Sequence, residues 1–304
     1  MIYRLDNIDR YNHDLGIETV HPLVTVCNLK DVPNRELIDN ETTWHYGVYA
    51  LFLKNTRSCR LSYGHKEYDY SDGTVTSFAP MQTVTATPVT GMDPDVVALL
   101  FHPDLMRGTS LAKGIADYHF FQYSSREALH MSERERAIYL DCIDKIKEEI
   151  NRPIDKFSRK LICRNIELLL DYCLRFYDRQ FITRELENSS VIATFEQALN
   201  DYFHNREAIF MSGLPSVKVF ADKCCLSPNY FGDLVKKETG KTPVEFIQHK
   251  IIDIAKEDLH ATDVTVTELA YSLGFQSSQH FNRYFKRSTG MTPTQYRKHS
   301  RQSA

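Results

Sequence analysis

Few residues in this 304-residue chain have the type and spacing that covalent chemistry needs. A metal-dependent β-barrel enzyme would present paired histidines as HxH with a downstream carboxylate. The nearest stretch, GHKEYDYSDG, leaves His65 and Glu67 standing alone. GxSxG, P-loop and GxGxxG patterns are absent. The seven cysteines are odd in number and scattered, with neither CxxC nor zinc-ligand spacing, and read as reduced, mostly buried thiols. The expectation is no catalytic residue, no metal, no cofactor and no enzyme activity. What remains is cationic and amide chemistry gathered toward the C-terminal end. Lys236 and Lys237 recur fifty residues later as Lys286 and Arg287, with Gln279, Asn282 and Arg283 beside the second pair. Residues 213–304 hold 13 Lys and Arg against 9 Asp and Glu, whereas the whole chain holds 37 against 40, leaving 24 against 31 for the rest. An acidic body with a basic tail is one of the asymmetries that suggest a nucleic-acid surface.

The recurrence is a repeat. Phe231 aligns with Phe281, Thr239 with Thr289, Gly240 with Gly290, Thr242 with Thr292 and Pro243 with Pro293. Upstream the register slips by one, Ala221 matching Ala270, so the two turns differ in length. Each copy reads as helix, tight turn, helix, stop. In the first, VKVFADKC is a short helix, Leu226 plugs the turn, and Ser227 caps a second helix opening at Pro228. In the second, Thr265 and Glu268 form a capping box and Gly274 permits the turn before Phe275. Both second helices stop at a glycine suited to a left-handed cap, and new helices restart behind Thr242 with Glu245 and Thr292 with Gln295. The intervening TPVEFIQHKIIDIAKEDL predicts a helix of about 17 residues, roughly 25 Å long. With its flanking turns, that spacer can set the two second helices near the roughly 34 Å between successive major grooves on one DNA face.

The elements upstream differ in kind. VHPLVTVCNL, YGVYALFLK, CRLSYGHKEYDY, GTVTSFAP, QTVTATPV and DVVALLF are short β-branched and aromatic runs that predict a small sandwich or barrel. Two long amphipathic helices follow, the second burying Leu161, Ile166, Leu169, Leu170, Cys173, Phe176 and Tyr177. That face either packs on the sheet or also dimerises the protein. SSVIATFEQALNDYF predicts another helix, and Gly213 and Pro215 then interrupt the periodicity, which places a domain boundary there. No stretch reaches the roughly 20 apolar residues of a membrane helix, and MIYRLDNIDRYNHDLG lacks a signal-peptide core, so the expected location is cytoplasmic with no membrane partner.

GFQSSQHFNRYFKRSTGMTPTQYR, preceded by TVTELAYSL, resembles the signature of the AraC/XylS family of bacterial transcription regulators. With the partner copy the resemblance covers about Val217 to Lys298. It implies an α+β multidomain chain: a cupin-like sensor barrel over 1–110, a helical packing or dimerisation segment over 111–205, a linker over 206–216, and an all-α DNA-binding domain with two helix-turn-helix units over 217–304. It also implies double-stranded DNA and RNA polymerase as partners, a homodimer, and a possible small-molecule effector.

Carried over residue by residue, the resemblance assigns base contacts to Asn229, Tyr230, Gly232 and Asp233 in the first copy. In the second it assigns them to Ser278, Gln279, His280, Asn282 and Arg283. Gln279 and Asn282 suit adenine and Arg283 suits guanine, whereas Gly232 and Asp233 offer less. Lys236, Lys237, Lys286 and Arg287 fall where phosphates would lie, with Lys241, Arg297 and Lys298 as additions. Aromatic candidates for an effector pocket are Tyr46, Tyr49, Phe52 and Tyr63. Three functional classes stand open at this point: a ligand-responsive activator, a ligand-independent DNA-binding regulator whose barrel only dimerises, and a cupin enzyme with an attached DNA-binding domain. The missing metal ligands disfavour the third.

Overall fold

The computed structural model of the protein describes residues 2–55, 59–63, 66–68, 73–88, 94–124, 127–183, 185–204, 209 and 213–302, and the side chains of 2–55, 73–88, 94–124, 127–182, 190–204, 209 and 213–300. Two compact units divide the chain, Met1–Thr183 and Arg184–Ala304.

The first unit opens with β1 (Ile2–Leu5), α1 (Ile8–Asp14), β2 (Val24–Asn28) and α2 (Glu36–Asp39). Seven strands follow: β3 (Thr42–Tyr46), β4 (Tyr49–Lys54), β5 (Cys59–Tyr63), β6 (Lys66–Tyr68), β7 (Thr74–Phe78), β8 (Thr83–Pro88) and β9 (Val96–Phe101). After α3 (Pro103–Met106), α4 (Ser110–Gly114) and β10 (Leu129–His130) come α5 (Glu133–Ile150) and α6 (Ser158–Thr183). The described strands form two five-stranded sheets, β1-β3-β8-β5-β6 and β10-β7-β4-β9-β2. Neither sheet closes on the other, so the strand-rich part is an open pair of sheets where the expectation included a closed barrel. Strand alternation makes one shared interior: Tyr46 and Val84 from the first sheet pack in one cluster with Ala50, Phe78, Ala98 and Leu100 from the second.

Helices α5 and α6 pack on each other, α5 against β2 and α6 against β10. The Gln180 side chain of α6 accepts from His130 N (2.8 Å) and donates to Ala128 O (3.2 Å), so it bonds to the β10 segment as a neighbouring strand would. Ile166, Leu169, Leu170, Cys173, Phe176 and Tyr177 are buried, as their spacing predicts, but Leu161 is exposed.

The second unit is all helical: α7 (Glu185–His204), α8 (Val217–Lys223), α9 (Pro228–Thr239), α10 (Pro243–Ala261), α11 (Val266–Ser272), α12 (Ser278–Thr289) and α13 (Pro293–Gln302). Its start differs from the boundary read near 205–216. Phe195, Ala198, Leu199 and Phe203 of α7 share one buried core with Phe220, Phe231, Ile251, Phe281 and Phe285. The Phe195 ring lies 5.3 Å from Phe220 and 5.1 Å from Phe231, both edge to face, so α7 roofs the first helix-turn-helix. The linker helix α10 has 19 residues and is therefore about 28 Å long, slightly more than the sequence suggested.

Arg297, read as a possible phosphate contact, does something else. It reaches back from α13 to donate from Nε to Leu259 O (3.3 Å) and from Nη2 to Val264 O (2.5 Å). It thereby satisfies a carbonyl in the last turn of α10, where a cation also opposes the helix dipole.

Two stability predictions follow from these contacts. A Cβ at Gly274 (φ +87°) would lie 2.7 Å from Gly213 C and 2.9 Å from Leu214 N, whereas one at Gly240 (φ +72°) would meet nothing within 4 Å. Thermal or urea unfolding should therefore show Gly274→Ala costing about 3 kcal/mol or more, and Gly240→Ala only about 1 kcal/mol. Arg297→Ala should cost about 2 kcal/mol by the same measurement and leave the salt dependence of DNA binding unchanged. A flatter salt slope would return Arg297 to the phosphate-contacting set.

Candidate nucleic-acid interface

Two helix–turn–helix pairs, α8–α9 and α11–α12, are built alike at the backbone. In the first turn Cys225 N donates to Asp222 O and Leu226 N to Ala221 O; in the second Gly274 N donates to Tyr271 O and Phe275 N to Ala270 O, all four at 3.0 Å. The matching positions Cys225 (φ +58°) and Gly274 (φ +87°) both take the left-handed conformation, so the first copy tolerates a cysteine where the second has glycine. The one-residue slip is Gln276, inserted between the turn and the cap. Ser227 Oγ then accepts from Tyr230 N, and Ser277 Oγ from His280 N, and both second helices end at left-handed Gly240 and Gly290.

These fixed ends decide which side chains face outward. On α12, Phe281 and Phe285 point into the core, while Gln279, His280, Arg283, Lys286 and Arg287 are exposed. Gln279, Arg283 and Lys286 follow i, i+4, i+7 spacing and so form one stripe along the helix. Ser278 and Asn282 are half-buried, and the Asn282 amide donates to Ser278 O at 2.9 Å. His280 stands edge to face on Phe275 at 5.7 Å, which holds its ring against the turn.

The first copy presents less. Asn229, Lys236 and Lys237 are exposed and Asp233 is half-buried. Tyr230, expected to reach outward, is only 4% exposed. The reason is a broader inward face on α9, where Tyr230, Phe231, Leu234 and Val235 are all buried. Gly232 adds no side chain to the outward face.

The first unit contains a separate cavity of about 90 Å³ between its two sheets. Tyr46 and Phe52 line it, together with Trp44, Phe78, Lys54 and Thr76. Tyr49 does not belong there: three residues from Phe52, it faces the opposite side of β4, stacked on Phe101 at 5.2 Å and edge-on to Phe121 at 5.0 Å. The Tyr63 and Glu67 side chains, and His65, lie outside the described residues. Lys54 and Thr76 were missed, although the alternation of YALFLK sets Lys54 on the face of Phe52.

Residues 220–299 match the helix-turn-helix domain family. The HTH-type transcriptional regulator YijO of Escherichia coli K12 is 25% identical over 177 residues, which are 58% of this chain and 58% of YijO. YobQ of Bacillus subtilis 168, also an HTH-type transcriptional regulator, is 37% identical over 82 residues, 27% of this chain and 34% of YobQ. The chain therefore spans between a third and three fifths of these relatives. Among solved structures, the DNA-binding domain of the global transcriptional factor AdpA, in complex with a target DNA, aligns at 23% identity with a TM-score of 0.32 over 38% of this chain and 94% of that one. The paired helix-turn-helix units of residues 220–299 thus form a DNA-binding domain of the AraC type, the kind that regulators of the AraC/XylS family carry.

Proposed function

We propose that the protein is a sequence-specific DNA-binding transcription regulator, acting in the cytoplasm as a homodimer and activating when its sheet-rich unit binds a small molecule. The observation that carries the DNA reading is the exposed stripe of Gln279, Arg283 and Lys286, with Arg287 beside it, on a helix fixed at both ends by caps. In this reading α12 lies in a major groove. Gln279 and Arg283 meet base edges there, with Ser278, His280 and Asn282 beside them. Lys286 and Arg287, with Lys236 and Lys237 from the first copy, meet phosphates and set the register. Asn229 and Asp233 are the first copy's remaining candidates for bases, and burial takes Tyr230 out of that set. RNA polymerase is the partner that the family resemblance implies for activation.

The first unit is read as a cupin-like sensor. Its cavity favours this over a unit that only dimerises, since a fold serving dimerisation alone has no need of one. A ligand shifts the regulator only through different affinities for two arrangements of the chain. Dimerisation is assigned to α6, whose exposed Leu161 and Leu168 lie seven residues apart and Ile182 fourteen further on, with exposed Arg175 between them, on the face turned away from the core.

Anisotropy titrations on a selected operator should show Arg283→Ala losing about 1–3 kcal/mol of discrimination at one base pair while a salt-sensitive, non-specific component survives. Unchanged selectivity would refute the register assigned to α12. Sedimentation should show Leu168→Glu as a monomer at concentrations where the parent chain is a dimer; two dimers would clear α6 of that role.

A further inference from the structure

Beside the free edge of β2, apart from the space between the sheets, lies a second cavity of about 150 Å³, walled by the loop before β2 and the last turn of α5. Strand β2 ends its sheet, so only one of its edges is paired, to β9. His102 N donates to Leu23 O and Leu29 N to Val96 O, which makes the odd-numbered residues of β2 the ones bonded to β9. The N–H and C=O groups of Val24 and Val26 therefore point away from β9, and both residues line the cavity. Those outward groups find no hydrogen-bond partner among the described residues. Val24 is only 1% exposed, and orphaned backbone groups at such depth are rare.

His21, 7% exposed, lines the same cavity. Its Nδ1 accepts from Leu23 N at 3.1 Å and burial lowers its pKa, so the ring is neutral and Nε2 carries the proton. That N–H also lacks a partner among the described residues. Two opposite charges stand at the mouth, Glu18 from the loop and Lys147 from α5, both exposed and neither in an ion pair among the described residues. Ile17, Val20 and Ile150 supply an apolar wall.

We propose that this cavity binds a free α-amino acid with a short side chain. Its carboxylate accepts from the Lys147 ammonium, from His21 Nε2 and from an outward N–H of β2. Its ammonium donates to Glu18 and to an outward C=O of β2, and its side chain lies on Ile17, Val20 and Ile150. A strand edge offers donors and acceptors in alternation, a pattern that a zwitterion completes and that a simple acid or amine completes only by half. An apolar cavity of this size holds benzene, and alanine has the same number of non-hydrogen atoms, so glycine, alanine and serine fit and the aromatic amino acids do not. The site shares no residue with the cavity between the sheets, so it stands apart from the sensor reading above.

Isothermal titration calorimetry of the full-length protein with glycine, alanine and serine should show saturable binding at millimolar concentrations or below. Propionate and ethylamine, each with one end of the zwitterion, should bind at least about tenfold more weakly than alanine. Lys147→Met and Glu18→Gln change exposed side chains and so leave folding intact; each should weaken alanine binding by about fivefold or more. The proposal is overturned if none of the three amino acids binds, if propionate or ethylamine binds as tightly as alanine, or if either variant keeps the parent's affinity. In each of those cases the sensor reading, which concerns the other cavity, is untouched.

Discussion

Everything the C-terminal unit offers to DNA depends on two backbone hydrogen bonds, Leu226 N to Ala221 O and Phe275 N to Ala270 O. Each closes a turn that only a left-handed residue completes, and each sets the angle at which the second helix leaves the first. The serine cap one or two residues later starts that helix, and the left-handed glycine stops it. With both ends fixed, the rotation of the helix follows from which aromatics enter the core, and so the outward stripe follows too. At the second turn the constraint is tighter, because the backbone of Gly213 and Leu214 lies against the α-carbon of Gly274.

The two copies share this frame and differ in what they place on it. In α12 the inward face is narrow, Phe281 and Phe285, and six polar or basic side chains stay exposed. In α9 the inward face widens to include Tyr230 and Leu234, and the outward face loses a side chain at Gly232. One helix thus carries paired donors and acceptors suited to bases, and the other carries chiefly lysines suited to phosphates. A division of labour in which one unit reads and the other holds is the simplest account of that asymmetry.

The repeat was legible because its signals are local: caps, stop glycines and 3.6-residue periodicity each lie within a few residues of one another. What the sequence hid was long-range. Tyr230 looks outward by analogy with the family, but only the packing of α9 reveals that it is buried. Helix α7 was legible as a helix, yet its allegiance to the second unit rests on Phe195 meeting Phe220 and Phe231, which no spacing predicts. Arg297 looked like one more surface cation until its reach to Leu259 and Val264 was seen. In the first unit β1 and β3 escaped notice because IYRL is short and TTWHY lacks aliphatic residues, although they pair in parallel at one end of a sheet. Tyr49 was misplaced for the opposite reason, as its aromatic type outweighed the strand alternation that turns it away from Phe52.

The central claim is that sequence reading is concentrated in α12. Selection of bound duplexes from random DNA by the full-length chain tests it most directly, because information content is then measured at every base pair. The account predicts one strongly specified cluster of base pairs and, about one helical turn away, a second region that is protected in footprints but nearly free of sequence preference. Two clusters of equal information content, one under each second helix, would contradict it.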